Sequence, residues 1–290
     1  MTMFGGKGGV GKTTCAGAAA LYYASLGKKT LVISTDATPS LSDIFEVETR
    51  QKPAKVLENL YLAELGLDEV KNMWDNKFGH EVYEVFSAFV SIKYEEFVDF
   101  ITSILPGLRE EFMVDYIKEL SRSRTYDKII WDTAPLGETM GLLQMPGMLS
   151  EHLKLAPKIY SKLKLGSRSK RPVIEIIKGW EKLSGEDMNF LKHEVEFIIV
   201  TIPEALAVQQ LKGVFSEFKR HGFKPSRLII NNVIKVADSD FLRRKAEQQQ
   251  GYIQSLREDY KALKITELPL FPYEIKGLNR LEEVRDLLFG

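Results

Sequence analysis

The chain has a single cysteine, Cys15, in 290 residues. That excludes an internal disulfide and any site that needs two thiolates from one chain, and it leaves a buried, inert thiol as the expectation for Cys15. There is no surplus of either charge, because 40 Lys and Arg stand against 40 Asp and Glu. No global field therefore draws the protein to nucleic acid or to an anionic membrane, no specific nucleic-acid partner is expected, and any charged surface must be local. An unbroken apolar run of about 18 residues, the length that crosses a bilayer, is also missing. The chain opens Met-Thr-Met-Phe, without a basic stretch leading into an apolar one, so neither a spanning helix nor a signal peptide is expected and a cytoplasmic location is the default. Internal repeats and low-complexity tracts are absent.

With 44% hydrophobic residues the chain can bury a real core. Short β-branched runs occur at Met1 to Phe4, Thr30 to Thr35, Lys128 to Asp132, Val195 to Thr201, Arg227 to Val233 and Leu263 to Leu268. Longer helical patterns separate them, which predicts an α/β fold with a mostly parallel, doubly wound sheet covered on both faces. The gaps after the second and third runs are longer than one crossover helix needs. They predict helical insertions at Asn76 to Leu105, Arg109 to Arg122, Thr139 to Leu155 and Pro172 to Leu191, broken at Pro106-Gly107 and around Gly166.

Between the first run and an alanine-rich helical stretch, Ala16 to Leu26, lies Gly6-Lys7-Gly8-Gly9-Val10-Gly11-Lys12-Thr13-Thr14. Strand, glycine-rich loop and helix form the context in which G-x-x-x-x-G-K-[ST] holds phosphates: glycines let backbone N–H groups turn inward, and the helix N-terminus adds partial positive charge. Gly6, Lys7, Gly8, Gly9, Val10, Gly11, Lys12, Thr13 and Thr14 are thus the candidate ATP-binding residues, with Lys12 reaching the outer phosphates and Thr13 offering its hydroxyl to Mg2+. This makes residues 1–290 a P-loop NTPase domain, with a helical subdomain expected from insertions at about 68–125 and 139–193. Lys7, directly after the first glycine, makes the loop resemble the deviant Walker A group. The resemblance implies that Lys7 reaches across a homodimer to the partner's nucleotide, where a cation stabilises developing negative charge as an arginine finger does.

Two acids end strands facing this loop: Asp36, in Ser34-Thr35-Asp36-Ala37-Thr38-Pro39-Ser40, and Asp132, in Asp132-Thr133-Ala134-Pro135-Leu136-Gly137-Glu138-Thr139. Ligands bind at such carboxyl ends in open parallel sheets. These segments look like the two switch regions of the arsenite-pump and tail-anchored-protein-targeting ATPase family. The resemblance extends through Thr201-Ile202-Pro203-Glu204-Ala205-Leu206-Ala207, Leu228-Ile229-Ile230-Asn231-Asn232, Pro269-Leu270 and Glu274-Ile275-Lys276-Gly277-Leu278. It implies that Asp36 polarises the attacking water, that Asp132 joins the Mg2+ shell through water, and that Asn231 meets the adenine. Asp43 is either a further switch residue or a surface acid.

The departures from the family pattern carry information too. Its first switch usually reads D-P-A-H, whereas Ala37, Thr38 and Pro39 follow Asp36; its second usually has threonine and histidine where Leu136 and Glu138 stand. Nucleotide and client are therefore expected to communicate differently here. The targeting branch commonly carries C-x-x-C after the adenine-binding strand, clasping two subunits through zinc, but Asp240-Phe241-Leu242-Arg243-Arg244 has no cysteine. The arsenite branch binds its metalloid with thiolates, and Cys15 alone cannot make such a site.

Phe78, Val82, Val85, Phe86, Phe89, Val90, Phe97, Phe100, Ile101 and Leu105 form a broad apolar face at helical spacing, and Met140, Met145 and Met148 cluster after the second switch. These residues either line a groove for hydrophobic helices or pack against one another as a core. Lys154, Lys158, Lys162, Lys164, Arg168, Lys170 and Arg171 fall in a stretch without acids, either a solvated face or a patch for a membrane, a client's flanks or nucleic acid.

The expected function is that of a homodimeric ATPase that carries transmembrane helices of tail-anchored proteins to a membrane, with a membrane receptor as a further partner. The alternative is the catalytic subunit of an arsenite or anion efflux pump. A partition or septum-positioning ATPase would leave the insertions unexplained, a nitrogenase-iron-protein type of reductase needs two cluster cysteines, and a GTPase needs an N-K-x-D motif that Asn231-Asn232-Val233-Ile234 does not supply.

Overall fold

The computed structural model describes residues 1–36, 40–48, 52–87, 92–98, 106–134, 140–141, 143–148, 150–151, 154 and 173–290. Its strands are β1 (Thr2–Gly6), β2 (Thr30–Ser34), β3 (Ala54–Leu57), β4 (Leu60–Glu64), β5 (Lys128–Asp132), β6 (Glu196–Thr201), β7 (Pro225–Val233) and β8 (Lys264–Pro269). Its helices are α1 (Lys12–Ser25), α2 (Leu41–Phe45), α3 (Leu67–Trp74), α4 (His80–Ser87), α5 (Pro106–Arg122), α6 (Val173–His193), α7 (Ala205–His221), α8 (Asp240–Asp259) and α9 (Gly277–Phe289). Two compact units result, Met1–Gly66 with Ser123–Met140 and Glu194–Gly290, and Leu67–Arg122 with Gly141–His193.

The first unit is built on one sheet in the order β3-β4-β2-β5-β1-β6-β7-β8, parallel throughout except for the β3–β4 pair. β1 and β2 are buried along their whole length. Strands covered on both faces read as continuous apolar runs, which is why they could be located without alternation. On one face lies α1, whose Cys15, Ala16, Ala18, Ala19 and Ala20 are buried against Phe4, Val32, Ile130 and Val200 of the sheet and against Leu281 and Val284 of α9. Small side chains let this helix lie close to the strands and so bring its N-terminus to their carboxyl ends. At the far side Arg227 of β7 donates to Thr266 Oγ1 on β8 and to the Leu288 carbonyl, anchoring α9.

The pair β3–β4 was not legible as strands. Its sequence, AKVLENLYLAE, is rich in Leu, Ala and Glu, which favour helix. Asn59, held at φ 59° in the turn, lets the chain reverse and extend the sheet instead.

In the second unit the stretch expected as helix from Asn76 to Leu105 is not continuous. A π-helical turn spans Asp75–Gly79 and α4 follows, but residues 92–93 are non-helical and the Tyr83 hydroxyl donates to the Ile92 carbonyl at 2.8 Å. Phe97 is fully buried, its ring 5.2 Å from that of Tyr83. Between α5 and α6 the core is ionic: buried Lys118 lies 3.1 Å from Asp115 and pairs with Asp187. Lys77 pairs with Asp115 in turn. No described helix is long and apolar enough to cross a membrane.

Candidate functional site

The loop from Gly6 to Gly11 joins β1 to α1, and tertiary neighbours explain its glycines. A Cβ on Gly6 would stand 2.4 Å from the Val200 carbonyl oxygen of β6, and one on Gly11, at φ +93°, would stand 2.3 Å from Asn231 Nδ2. A side chain at Gly6 would have to displace the β6 backbone, and one at Gly11 would be strained by the positive φ and would push the Asn231 amide aside. Asn231 Nδ2 donates to the Val10 carbonyl at 2.9 Å, and the buried Lys12 ammonium donates to the Lys7 carbonyl at 3.2 Å. Thr13, half-buried in the first turn of α1, has its Oγ1 3.2 Å from Ser40 Oγ. Backbone N–H groups at a helix N-terminus, a lysine and a hydroxyl converge here, the donor set that a polyphosphate requires.

Asp132 lies directly beside this set and is fully buried. Its Oδ2 accepts from Ser34 Oγ at 3.4 Å, whereas Oδ1 has no hydrogen-bond partner among the described residues. Burial, opposed by the Thr13 hydroxyl and the Lys12 ammonium and aided by Asp36, raises its carboxyl to about 7. A buried carboxylate oxygen without a partner, next to a threonine hydroxyl, is an all-oxygen arrangement suited to Mg2+ and its waters. Asp36 is half-buried, and its backbone N–H donates to Ser34 Oγ at 3.2 Å. One hydroxyl on β2 therefore ties the two acids that the sequence places far apart.

Asn231 and Asn232 open onto a cavity of about 260 Å³ that Gly9, Leu270, Phe271 and Tyr273 also line. Its size and its aromatic walls suit a nucleobase beside the phosphate cradle. Lys7, half-buried, stands with exposed Gly8 at the rim of a separate, more apolar cavity of about 430 Å³, lined further by Met140, Thr201 and Leu211. Cys15 is buried, and burial raises its thiol to about 12.

Three polar residues of this region were missed from sequence. Ser34 and Ser40 carried no signal beyond their neighbourhood to Asp36. Glu64 had one: it ends a strand facing the loop, as Asp36 and Asp132 do, but the strand itself was not recognised. Its Oε1 accepts from the backbone N–H groups of Ser40, Leu41 and Ser42 at 2.9, 2.8 and 3.2 Å.

Asp43 is exposed on α2, the position of a surface acid. Ala37, Thr38, Pro39, Leu136 and Glu138 lie outside the described residues, as do Phe89, Val90, Phe100, Ile101, Leu105, the side chains of Val85 and Phe86, and the basic stretch from Lys158 to Arg171. Of the expected apolar face, Phe97 is buried within its own unit; of the expected methionines, Met140 is buried and Met148 is exposed.

The profile of the anion-transporting ATPase family matches residues 1–290. A protein of Aquifex aeolicus carrying the name arsenical pump-driving ATPase 2 is 29% identical, with 98% of this chain and 97% of that protein covered. The ATPase GET3B of Arabidopsis thaliana is 31% identical over 99% of this chain and 78% of its own length, and the ATPase GET3A of the same plant is 29% identical over 96% and 80%. Matched along all its residues, the chain belongs to the anion-transporting ATPase family and is an ATPase.

Proposed function

We propose that this ATPase is a homodimeric targeting factor that binds hydrophobic transmembrane helices of tail-anchored proteins and delivers them to a receptor-bearing membrane. The observation that carries this reading over an arsenite pump is Cys15. It is the chain's one thiol, and it is buried and raised to about 12. A metalloid site needs exposed thiolates, several of them. Resemblance to the targeting branch supplies the rest, together with Val236 and Phe241, which are 78% and 69% exposed after β7 and offer an apolar surface to a second copy.

In this reading residues 1–290 are one ATPase domain carrying a helical subdomain. Gly6 to Thr14 wrap the phosphates of ATP and Lys12 holds the outer ones. Thr13 and, through water, Asp132 hold Mg2+, which when bound neutralises charge on the leaving phosphates. Asp36 orients the attacking water, Lys7 reaches the partner's nucleotide, and Asn231 meets the adenine. The geometry that supports these roles is the convergence of Lys12, Thr13, Asp132 and Asn231 on one loop.

Co-expression with a hydrophobic tail-anchor segment tests the function. A soluble complex is expected, and its loading should depend on nucleotide. Failure to capture the segment, combined with ATPase activity stimulated by arsenite or antimonite, would replace this reading with the pump subunit. Zinc is not expected in the dimer, since the chain has a single cysteine and hence no cysteine pair. A chelator that splits the dimer would refute that.

A further inference from the structure

Glu64 serves neither as an exposed surface acid nor as a partner of a cation in the contacts described above. It is 3% exposed at the carboxyl end of β4 and directs Oε1 at the first turn of α2, whose N-cap Ser40 meets Thr13, 27 residues earlier in the chain. Helices leave their first N–H groups unsatisfied, and a serine at the N-cap usually accepts one of them. Ser40 occupies the N-cap of α2 but makes no such bond. Glu64 takes the N–H groups of Ser40, Leu41 and Ser42 instead, and the Ser40 hydroxyl lies against that of Thr13 at 3.2 Å.

Glu64 is itself fixed by the sheet. β4 pairs with β2 so that Glu64 is in register with Ser34, and the next residue, Leu65, donates its N–H to the Ser34 carbonyl at 2.9 Å. Ser34 in turn binds the Asp36 backbone and the Asp132 carboxylate. The described ends of the first switch, Asp36 and Ser40, are thereby both referred to one pair of strands.

We propose that Glu64 is a positioning residue for ATP hydrolysis: by capping α2 in place of Ser40, it holds the Ser40 hydroxyl on Thr13 at the start of α1. The proposal rests on the reading of Thr13 as the hydroxyl on the Mg2+ side. Without Glu64, the Ser40 hydroxyl at the N-cap is expected to turn from Thr13 and cap α2 itself.

The test uses the full-length protein. Glu64→Ala should lower kcat about tenfold to a hundredfold with KM within about threefold of the parent, the scale on which misplacement of a catalytic part acts. Glu64→Gln keeps an acceptor oxygen and should restore kcat to within about threefold of the parent. A double-mutant cycle gives an independent readout: Ser40→Ala should lower thermal stability more in the Glu64→Ala background than in the parent, because only there does Ser40 cap the helix. Should Glu64→Ala fail to fold, Glu64→Gln with Ser40→Ala carries the test, since Ser40→Ala leaves the Glu64 cap in place and should itself lower kcat. A folded Glu64→Ala with parental kcat, or a Ser40→Ala with parental kcat, overturns the proposal. Thr13→Ala is measured alongside for the effect of Mg2+ on the affinity of a fluorescent ATP analogue. Loss of that Mg2+ effect upholds the site reading, so a parental Glu64→Ala would then count against Glu64 alone; a retained Mg2+ effect sinks the site reading and the proposal with it.

Discussion

Asn231 reaches from β7 to the phosphate loop and donates its amide to the Val10 carbonyl at 2.9 Å. The same side chain lines the base-sized cavity and stands where a Cβ on Gly11 would be. The cavity and the Gly6–Gly11 loop are thus joined by one amide. Asn231→Ala should raise the Kd for MgATP about tenfold, the worth of one lost hydrogen bond of roughly 1–1.5 kcal/mol. Asn231→Asp should do worse, because a carboxylate cannot donate to Val10 and repels its carbonyl. Calorimetric titration checks both, and unchanged affinity in Asn231→Ala would remove Asn231 from the site.

Lys12 and Asp36 should separate binding from chemistry. Lys12→Ala is expected to abolish tight MgATP binding while leaving the fold intact, as read by far-ultraviolet circular dichroism. Asp36→Asn should bind ATP yet hydrolyse it at least about 100-fold more slowly, the lower end of general acid–base contributions. Single-turnover measurement decides: if affinity fell and the bound-state rate did not, Asp36 would be a structural or metal-side residue.

Cys15 predicts a pH dependence of stability. Its native thiol is raised to about 12 by burial from an ordinary value of 9.0. Between these values the unfolded chain has released the proton and the native chain retains it, so stability is lost as pH rises through this window. Cys15→Ala abolishes the linkage. The stability of the parent relative to this variant should therefore fall by up to about 1.4 kcal/mol per pH unit above pH 9. Denaturant melts of both proteins at pH 8 and 10 provide the comparison; a difference independent of pH would mean that the thiol ionises in the native state.

Lys118 is buried between Asp115 and Asp187. Burial alone would lower its ammonium, but hydrogen bonding and attraction to Asp187 and Asp115 outweigh this and raise it. Lys118→Met should destabilise the helical unit by about 3–5 kcal/mol, because buried carboxylates lose their counter-charge. Limited proteolysis within residues 67–122 and 173–193 should accelerate accordingly. If Lys118→Met were as resistant as the parent, the ionic core would be dispensable.

The sequence by itself determined the chemistry of the phosphate loop and the class of fold. Gly6, Gly11, Lys12 and Thr13 stand at the spacing of a strand–loop–helix pattern suited to an anion, which is readable within a few residues, and the buried strands announce themselves as apolar runs because both their faces are covered. The lone cysteine, likewise, settled which thiol chemistry is excluded. Tertiary structure alone decided what surrounds these parts. β3 and β4 carry helix-favouring residues and became strands because β4 pairs with β2, a long-range contact with no local signature, and β3 folds back on β4. Phe97 and Lys118 sit on stretches whose helical spacing is visible, but whether such a face meets its own unit or a ligand depends on what packs there. Glu64 and Asn231 act on backbone groups of Ser40 and Val10, 24 and 221 residues away in the chain. Backbone carbonyls and N–H groups are the same at every position in a sequence, so which of them a distant side chain binds is set only when the sheet brings the two together.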